Sequence, residues 1–186
     1  MSKVLVIGAG AAGSMAAIFA ARKGHEVIVF EKNAKTGKKI YITGKGRCNI
    51  TNAVSNEELI KNTIRNPKFM YSAFSAFTSE DVIRFFEDMG CPVKVERGNR
   101  AFPVSDHSSD VIKALDKAME KAGVKVRYNT PVEELKINVD GTEIVGIRLR
   151  DGKSVEADKV IAASCPLPKK FESDNLSSPT RPTEVP

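Results

Sequence analysis

The sequence predicts an α/β fold that begins with a strand–turn–helix–strand unit. A short apolar run, Val4 to Ile7, leads into a glycine-rich segment, and an alanine-rich stretch without proline or glycine follows over Ser14 to Lys23. Gly24 ends this predicted helix, and a second apolar run extends from Val27 to Phe30. Two apolar runs joined by a helix are typical of parallel strands with a crossover connection.

The glycine spacing within the first turn predicts a Rossmann-like domain that binds the ADP moiety of a dinucleotide. Gly8 allows the tight turn after the strand, Gly10 leaves room for a pyrophosphate, and Gly13 lets the helix pack close to the sheet. The alternative is an ordinary strand–helix turn that happens to be rich in glycine. The order of strand, helix, second strand and terminal acid favours dinucleotide binding.

Two further features complete this predicted nucleotide site. The N-terminus of the helix, which includes Ala11 and Ala12, presents free N–H groups and a partial positive charge to phosphates. Glu31 ends the second apolar run, at the distance from Gly13 that places an acid beside the ribose. Its carboxylate can accept hydrogen bonds from both ribose hydroxyls.

Length and composition favour one globular domain of an ordinary kind. The chain has 186 residues, and no apolar run approaches the length that spans a bilayer. It begins directly on a strand, without an export signal, so we expect a cytoplasmic protein with no membrane partner. Its three cysteines are odd in number and lack metal-type spacing, so we expect neither disulfides nor a metal site.

The positive charge is concentrated in one segment. The net charge is +6, and residues 32–47 contain six basic side chains and no acidic one. A basic segment directly after a dinucleotide unit suits a polyanionic cofactor, and a solvated basic face is the alternative. A nucleic-acid partner is not expected, because aromatic residues are not interleaved with the basic ones.

The middle of the chain predicts further helices and strands. A glycine-punctuated loop covers residues 36–52, short helices cover 56–62 and 69–77, a longer helix runs from Thr78 to Met89, and a strand covers 93–96. Ser108 or Ser109 is expected to cap a helix that ends at Lys121 before Gly123.

The last third of the predicted domain is rich in strands. Residues 124–128 alternate as a strand, and Asp-Gly pairs at 140–141 and 151–152 predict a three-stranded antiparallel meander. Its strands are expected over 132–139, 143–150 and 154–157. A buried apolar strand is then expected over 159–163.

From Cys165 onward the composition changes to proline, serine and threonine with few large apolar residues. Such a segment buries too little surface to offset its chain entropy. We therefore expect a folded domain over residues 1–164 and a disordered tail over 165–186.

Three segments resemble one family, the BaiN/YhiN-like NAD(P)/FAD-dependent oxidoreductases. The stretch Gly37 to Asn52 (GKKIYITGKGRCNITN) is similar to the family pattern G-K-K/R-x-x-x-S/T-G-x-G-R-C-N-x-T-N. Glu96 to Ser105 (ERGNRAFPVS) resembles E-x-G-R-x-F-P-x-S, and Ala157 to Ser164 (ADKVIAAS) resembles A-D-x-V-I-L-A-T-G-G. These matches follow one another in the family's order over residues 1 to about 164.

The resemblance implies a fold and a cofactor. The fold is a central parallel sheet with helices on one face and the three-stranded meander on the other. The cofactor is FAD, which would take hydride from NAD(P)H and pass it to a small organic acceptor, such as the activated alkene of a steroid enone. The cofactor itself would supply the chemistry.

The resemblance also implies where cofactor-binding residues lie. Gly8, Gly10, Gly13 and Glu31 would bind the ADP half, Lys32 would lie beside adenine, and Val132 would contact adenine through its backbone. The remaining residues would line the pyrophosphate, the ribityl chain or the isoalloxazine edge: Lys38, Lys39, Thr43, Gly44, Arg47, Cys48 and Asn49. Arg47 and the lysines would neutralise phosphate charge. For Cys48, a small buried packing residue is favoured over a redox thiol.

The family pattern is interrupted at the end of the third segment. Ser164 and Cys165 replace the threonine and first glycine of the pattern, and nothing after Pro166 matches. Family members continue with roughly as much chain again, so we expect a truncated or frameshifted form that is inactive alone, with a genuine short form as the alternative. Catalytic residues are then not identifiable, and uncovered apolar surface would promote self-association. An NAD-binding dehydrogenase module and a non-catalytic nucleotide-binding domain are the alternative functions.

Overall fold

The computed structural model describes residues 1–164 and has an α/β architecture. Its elements in chain order are β1 (Lys3–Ile7), α1 (Ala11–Arg22), β2 (Glu26–Phe30), α2 (Lys38–Ile42), β3 (Thr51–Asn52), α3 (Asn56–Lys61), α4 (Tyr71–Ala76), α5 (Ser79–Asp88), β4 (Val93–Glu96), β5 (Arg100–Pro103), α6 (Ser108–Lys121), β6 (Lys125–Arg127), β7 (Val132–Ile137), β8 (Ile144–Leu149), β9 (Ser154–Glu156) and β10 (Lys159–Ala162). Two 3-10 helices cover Thr43–Gly46 and Pro67–Met70.

A parallel sheet of four strands, in the order β10–β1–β2–β6, lies at the centre of the fold. Neighbouring residues of a strand point to opposite faces of the sheet, so β1 and β2 divide their apolar side chains between two cores. One core contains Val4, Val6, Val27 and Val29. The other contains Leu5, Ile7, Ile28 and Phe30. Both central strands are therefore buried on both sides, as their continuous apolar runs require.

Helices cover the first face of the sheet. Ala17 and Ile18 of α1 and Leu115 and Met119 of α6 are buried in the same core as the valines of β1 and β2. Phe85 and Phe86 of α5 belong to the same core. A capping box begins α5, since the Thr78 side chain accepts from the Asp81 N–H and the Asp81 carboxylate accepts from the Thr78 N–H.

The meander covers the second face. Strands β7, β8 and β9 form an antiparallel sheet in that order. Leu135, Ile147 and Leu149 are buried against the side chains that β1 and β2 direct to this face. This arrangement confirms the predicted fold of a parallel sheet between helices and a three-stranded meander.

Several boundaries differ from the sequence predictions for identifiable reasons. Helix α1 begins at Ala11 rather than Ser14, because the small residues after Gly10 already adopt helical geometry. His107, not Ser108 or Ser109, occupies the N-cap of α6, and the Ser108 hydroxyl instead donates to the Tyr41 carbonyl oxygen at 3.0 Å. Strand β10 lies at the edge of the described sheet and is only partly buried, so its prediction as a buried strand was wrong.

A small antiparallel sheet was not predicted. Its strands lie in the order β3–β5–β4, and residues 51–52 of the predicted glycine-punctuated loop form one edge. The same predicted loop contains α2 and a 3-10 helix. The predicted helix over 69–77 is instead a 3-10 helix followed by α4.

The predicted tail over 165–186 lies outside the described residues. Within residues 1–164, no helix combines the length and the apolar character that a membrane span requires.

Candidate functional site

The glycine-rich turn after β1 is held by backbone contacts that other residues would block. Gly8 has φ +98°, and its N–H donates to the Phe30 carbonyl oxygen at 2.8 Å. A β-carbon on Gly13 would lie 1.9 Å from the Gly8 carbonyl oxygen, so α1 packs on the turn only with glycine there. A β-carbon on Gly10 would meet no described atom within 4 Å. The backbone at Gly10 is therefore open to a ligand.

The N-terminus of α1 adjoins this open backbone. Gly10 is the N-cap residue and supplies no capping side chain. The first hydrogen bond of α1 is the one from the Ser14 N–H to the Gly10 carbonyl oxygen, at 2.9 Å. The N–H groups of Ala11, Ala12 and Gly13 come before it and have no acceptor within the helix. Ala11 and Ala12 are exposed. These N–H groups and the helix dipole can stabilise a bound anion.

Glu31, at the end of β2, is buried and accepts three hydrogen bonds from nearby donors. Its Oε2 accepts from the Ala9 N–H at 2.8 Å. Its Oε1 accepts from the Asn33 N–H at 2.8 Å and from Asn33 Nδ2 at 2.5 Å. The carboxylate therefore connects the glycine-rich turn to the chain after β2, which places it directly beside the turn.

The start of the meander lies alongside the same segment. The Asn129 N–H donates to the Asn33 carbonyl oxygen at 3.1 Å, and the Thr130 N–H donates to the Glu31 carbonyl oxygen at 2.9 Å. Val132 follows two residues later and is half-buried. Lys32 is exposed. The fold thus brings Lys32 and the chain that leads into Val132 to the same end of the sheet as Glu31.

Helix α2 begins next to the glycine-rich turn. The Gly37 N–H donates to the Ala9 carbonyl oxygen at 2.8 Å. Gly37 has φ +71°, and a β-carbon there would lie 2.9 Å from the Ile112 side chain. The hydrogen bond between Gly37 and Ala9 therefore holds the start of α2 beside the glycine-rich segment, and the exposed Lys38 and Lys39 are the first residues of this helix.

The loop over residues 43–49 adopts an unusual backbone conformation. Gly44, Lys45, Gly46 and Cys48 all have positive φ, between 55° and 88°. The Thr43 hydroxyl donates to the Ile40 carbonyl oxygen at 2.8 Å, and both Thr43 and Gly44 are exposed.

Asn49 closes this loop and is also exposed. In the orientation of its amide that satisfies both the side-chain oxygen and the side-chain nitrogen, the nitrogen donates to the carbonyl oxygens of Ala101 at 3.1 Å and Thr51 at 2.9 Å. The loop therefore offers exposed polar groups at its start and its end.

Arg47 is engaged with carboxylates. Its Nη2 donates to Glu96 Oε1 at 2.5 Å, and its Nε donates to Asp106 Oδ1 at 2.8 Å. Lys94 Nζ lies 2.7 Å from Asp106 Oδ2 and 3.4 Å from Glu96 Oε1. The guanidinium also stacks on the Phe102 ring, 4.3 Å from its centroid. The structure thus gives Arg47 partners other than the phosphates that the sequence predicted.

These contacts shift the titration of both acids. The hydrogen bond from Arg47 holds the pKa of Glu96 below its ordinary value, and the hydrogen bond from Lys94 does the same for the pKa of Asp106. Both carboxylates therefore remain charged at neutral pH, and the network contains two cations and two anions.

Cys48 is buried in the helix-side core. Burial raises its pKa, which disfavours the thiolate. Cys91, in the same core, has its pKa raised to about 11, chiefly by burial. These surroundings favour the packing interpretation of Cys48 over a redox thiol.

Sequence reasoning missed four contributors to this site. Asn33 and the backbone of Ala9 hold Glu31, and Lys94 and Asp106 join Arg47 to Glu96. Glu96 itself lay within a segment that resembled the family. No local pattern marks Asp106, because its partner Arg47 lies 59 residues away in the chain.

Comparison with known proteins adds independent findings. A family described as "HI0933-like protein Rossmann domain" matches residues 2–169. A 3-dehydro-bile acid delta(4,6)-reductase from Clostridium scindens is 34% identical over 88% of this chain and 39% of its own length. A ribosomal RNA dihydrouridine synthase from Escherichia coli is 30% identical over 86% of this chain and 38% of its own length. The chain thus spans about two-fifths of the length of these curated relatives.

Solved structures share the fold. A 3-ketosteroid-delta4-(5alpha)-dehydrogenase from Rhodococcus jostii, in complex with 4-androstene-3,17-dione, matches with a TM-score of 0.53 and 21% identity over 87% of this chain and 44% of its own. The protein CtdE, in complex with FAD and a substrate, matches with a TM-score of 0.51 and 22% identity over 87% of this chain and 37% of its own. At these identities the likeness concerns the fold.

Proposed function

Since this chain belongs to the family of HI0933-like proteins with a Rossmann domain, we propose that it forms the FAD-binding part of a flavin-dependent oxidoreductase. The observation that carries the proposal is the meeting of three groups at one end of the sheet: the open backbone at Gly10, the N-terminus of α1 and the carboxylate of Glu31. These are the groups that bind the pyrophosphate and ribose of a dinucleotide.

The residues fit the ADP half of FAD in detail. The N–H groups of Ala11, Ala12 and Gly13 would bind pyrophosphate oxygens, and Gly10 would let the phosphate approach the backbone. A carboxylate has about four acceptor positions, and Glu31 uses three of them. The remaining position, on Oε2, can accept one ribose hydroxyl. A second hydroxyl would displace the Asn33 side chain from Oε1.

The exposed groups further along the chain suit the rest of the cofactor. Lys38 and Lys39 would add positive charge beside the pyrophosphate, and Lys32 and the backbone at Val132 would lie near adenine. Thr43, Gly44 and Asn49 would face the ribityl chain or the flavin edge. Bound FAD would supply the redox chemistry of hydride transfer, while these residues bind and orient it.

The reaction we propose is hydride transfer from NAD(P)H through FAD to a carbon–carbon double bond. Its support is the pair of relatives, since a delta(4,6)-reductase and a dihydrouridine synthase both, by name, saturate such a bond. The chain spans about two-fifths of those relatives, so this activity is a proposal for the whole protein of which such a domain forms part. No residue of this chain is assigned as a catalytic acid or base.

The substrate is either a small molecule or RNA. The bile-acid reductase favours a small activated alkene, which is the substrate class that the family resemblance implied. The names of the dihydrouridine synthases say that they act on ribosomal RNA. The relatives therefore do not support the expectation that this chain has no nucleic-acid partner. The exposed lysines of residues 32–45 suit either a cofactor phosphate or an RNA backbone.

Ligand titration tests the cofactor assignment. We expect FAD and ADP to bind the purified chain and NAD to bind more weakly. In the Glu31→Gln variant, we expect the binding free energies of FAD and of ADP each to fall by about 1–3 kcal/mol. Calorimetry measures these affinities, with thermal unfolding as a check that the variant folds. Glu87→Gln, at an exposed position of α5, is the matched control and should bind like the parent.

Three results would contradict the assignment. Equal affinities in the Glu31→Gln variant and the parent would mean that this end of the sheet is not the nucleotide site. Tight NAD binding without FAD binding would favour a dehydrogenase module. Absence of binding for all three nucleotides would exclude a nucleotide-binding role for this domain.

A further inference from the structure

We propose that four charged residues form a clamp that positions the loop over residues 43–49 against FAD, and that Arg47 is a positioning residue rather than a phosphate ligand. The clamp consists of Arg47, Lys94, Glu96 and Asp106. The inference rests on the proposed function, because it concerns how this chain presents a loop to the cofactor.

The geometry of the clamp is a closed ring of opposite charges. Arg47 comes from the loop, Lys94 and Glu96 come from β4, and Asp106 follows β5. Each cation contacts both acids. Arg47 Nη2 lies 2.5 Å from Glu96 Oε1 and 2.6 Å from Asp106 Oδ1, and Arg47 Nε also donates to Asp106 Oδ1. The side chains are about one-third to two-fifths exposed, between 31% and 44%. The two cations and two anions of the clamp together carry no net charge, and the donors that Arg47 directs at the carboxylates are not available to a phosphate.

The aromatic side chain of Phe102 also holds the Arg47 guanidinium in place. Phe102 is 5% exposed, and its centroid lies 4.3 Å from the Arg47 guanidinium carbon. A β-carbon on Gly44 would lie 3.7 Å from the Phe102 ring and 3.2 Å from the Asn49 N–H nitrogen. The aromatic ring of Phe102 therefore contacts Arg47 and lies close to the backbone at Gly44. Stacking and ion pairing together define one position for Arg47.

The loop needs such support because its own backbone is unfavourable. Lys45 and Cys48 are non-glycine residues with positive φ, a conformation that costs energy for an L residue. Two longer backbone hydrogen bonds act inside the loop, from the Arg47 N–H to the Gly44 carbonyl oxygen and from the Cys48 N–H to the Thr43 carbonyl oxygen, each at 3.2 Å. Contacts outside the loop must therefore stabilise this conformation, and the clamp supplies the charged ones.

The clamp has a consequence for ligand binding that separates the two halves of FAD. The groups proposed for the ADP half all lie outside the loop over residues 43–49, whereas the ribityl–flavin half of FAD would contact the exposed groups at Thr43, Gly44 and Asn49. Loosening the loop should therefore weaken FAD binding and leave ADP binding unchanged. A direct phosphate ligand would affect both.

Variants of the two acids distinguish positioning from direct binding by the sign of their effect. If Arg47 positions the loop, Glu96→Gln and Asp106→Asn weaken FAD binding about tenfold while the dissociation constant for ADP changes by less than about twofold. Arg47→Ala does the same, and Arg47→Lys restores part of the affinity. If Arg47 bound phosphate directly, removing Glu96 would free the guanidinium and strengthen binding of both nucleotides.

Arg84→Ala is the matched control. Arg84 also contacts two acids, Glu80 and Asp81, but it lies on α5 and is 63% exposed. This variant should bind FAD and ADP like the parent. Calorimetry measures all dissociation constants, and circular dichroism checks that each variant is folded.

Trypsin cleavage after Lys45 tests the clamp without any ligand. We expect faster cleavage there in the folded Glu96→Gln variant than in the parent or Arg84→Ala, because the loop opens more often. Unchanged cleavage would overturn the clamp, and faster cleavage with unchanged FAD affinity would overturn its role in positioning. Failure of the parent to bind either nucleotide would overturn the proposed function and this role together, while the cleavage result would still report on the clamp.

Discussion

Burial determines the chemistry of the two cysteines in the described part of the chain. Cys48 and Cys91 lie in the core between the sheet and its helices, and burial raises the pKa of both thiols, that of Cys91 to about 11. At pH 8 a thiol with that pKa is ionised in about one molecule in a thousand. Since the thiolate is the reactive form, neither side chain has the character of a redox-active cysteine.

A thiol titration checks this conclusion. In a Cys165→Ser background we expect the two remaining thiols to react with a disulfide reagent at pH 8 at least about a hundredfold more slowly in the native protein than in guanidinium. Two reactive groups in the denatured sample provide the control for the count. Rapid reaction of one thiol in the native protein would restore the redox interpretation of Cys48.

Residues near each other in sequence were predictable, and residues joined by the fold were not. Gly8 and Gly13 belong to one local unit, and each has the conformation or close contact that its spacing predicted. Glu31 lies beside the same turn, and its role at the ribose stays a prediction. Arg47 was expected to bind phosphate because its segment contains no acid. Its acidic partners, Glu96 and Asp106, lie 49 and 59 residues further along the chain. No local sequence pattern links residues so far apart.

At the scale of elements, two glycines of the first turn have separable roles. A β-carbon on Gly13 would lie 1.9 Å from the Gly8 carbonyl oxygen, which is backbone and cannot rotate away. A β-carbon on Gly10 would meet open space, and the φ of −83° at Gly10 suits alanine. Gly13 therefore serves the packing of α1 on the turn, whereas Gly10 serves the ligand.

Alanine substitutions test this division. Gly13→Ala should lower the free energy of unfolding by about 3 kcal/mol, because α1 must move away from the turn. Gly10→Ala should change it by less than about 1 kcal/mol, yet should weaken FAD binding because the methyl group occupies the place of the pyrophosphate. Urea denaturation and calorimetry measure the two effects. Equal loss of stability in both variants would contradict the division.

Elements marked by strong local signals were found where the sequence placed them. The Thr78–Asp81 capping box begins α5, and the turns at Gly141 and Gly152 join the strands of the meander. Strand β3 was missed because two residues carry no periodic pattern, and it forms only through pairing with β5. Ser108 was misassigned as a cap because a tertiary acceptor, the Tyr41 carbonyl oxygen, takes its hydroxyl.

At the scale of the whole molecule, the central strands join two cores. Alternate residues of β1 and β2 pack against α1 and α6 on one face and against the meander on the other. The meander is therefore part of the domain's core rather than an appendage. The Asp-Gly pairs predicted the meander, and the family resemblance implied its place on the face opposite the helices. The continuous apolar runs of β1 and β2 explain this arrangement, because such strands require cover on both faces.

The self-association expected from the sequence stays a prediction. Ile64 and Phe69 are 97% and 84% exposed, and Tyr71 lies close to them in the chain. These side chains provide apolar surface on the described domain, and sedimentation at increasing protein concentration would show whether copies of the chain associate through it.

Core truncations on the two faces test whether the domain unfolds as one unit. Leu115 of α6 and Ile147 of β8 are fully buried on opposite sides of the sheet. Replacing either with alanine should lower the free energy of unfolding by about 2–5 kcal/mol, since each leaves a cavity in a packed core. Val139→Ala, at a fully exposed position, is the control and should change the free energy of unfolding by less than about 0.5 kcal/mol.

Because β1 and β2 contribute side chains to both cores, each variant should still show a single unfolding transition, with the same midpoint by far-ultraviolet circular dichroism and by calorimetry. An Ile147→Ala variant that unfolds in two steps, with the helices still folded after the first, would mean that the meander is a separate unit and that the parallel sheet is stable with one face uncovered.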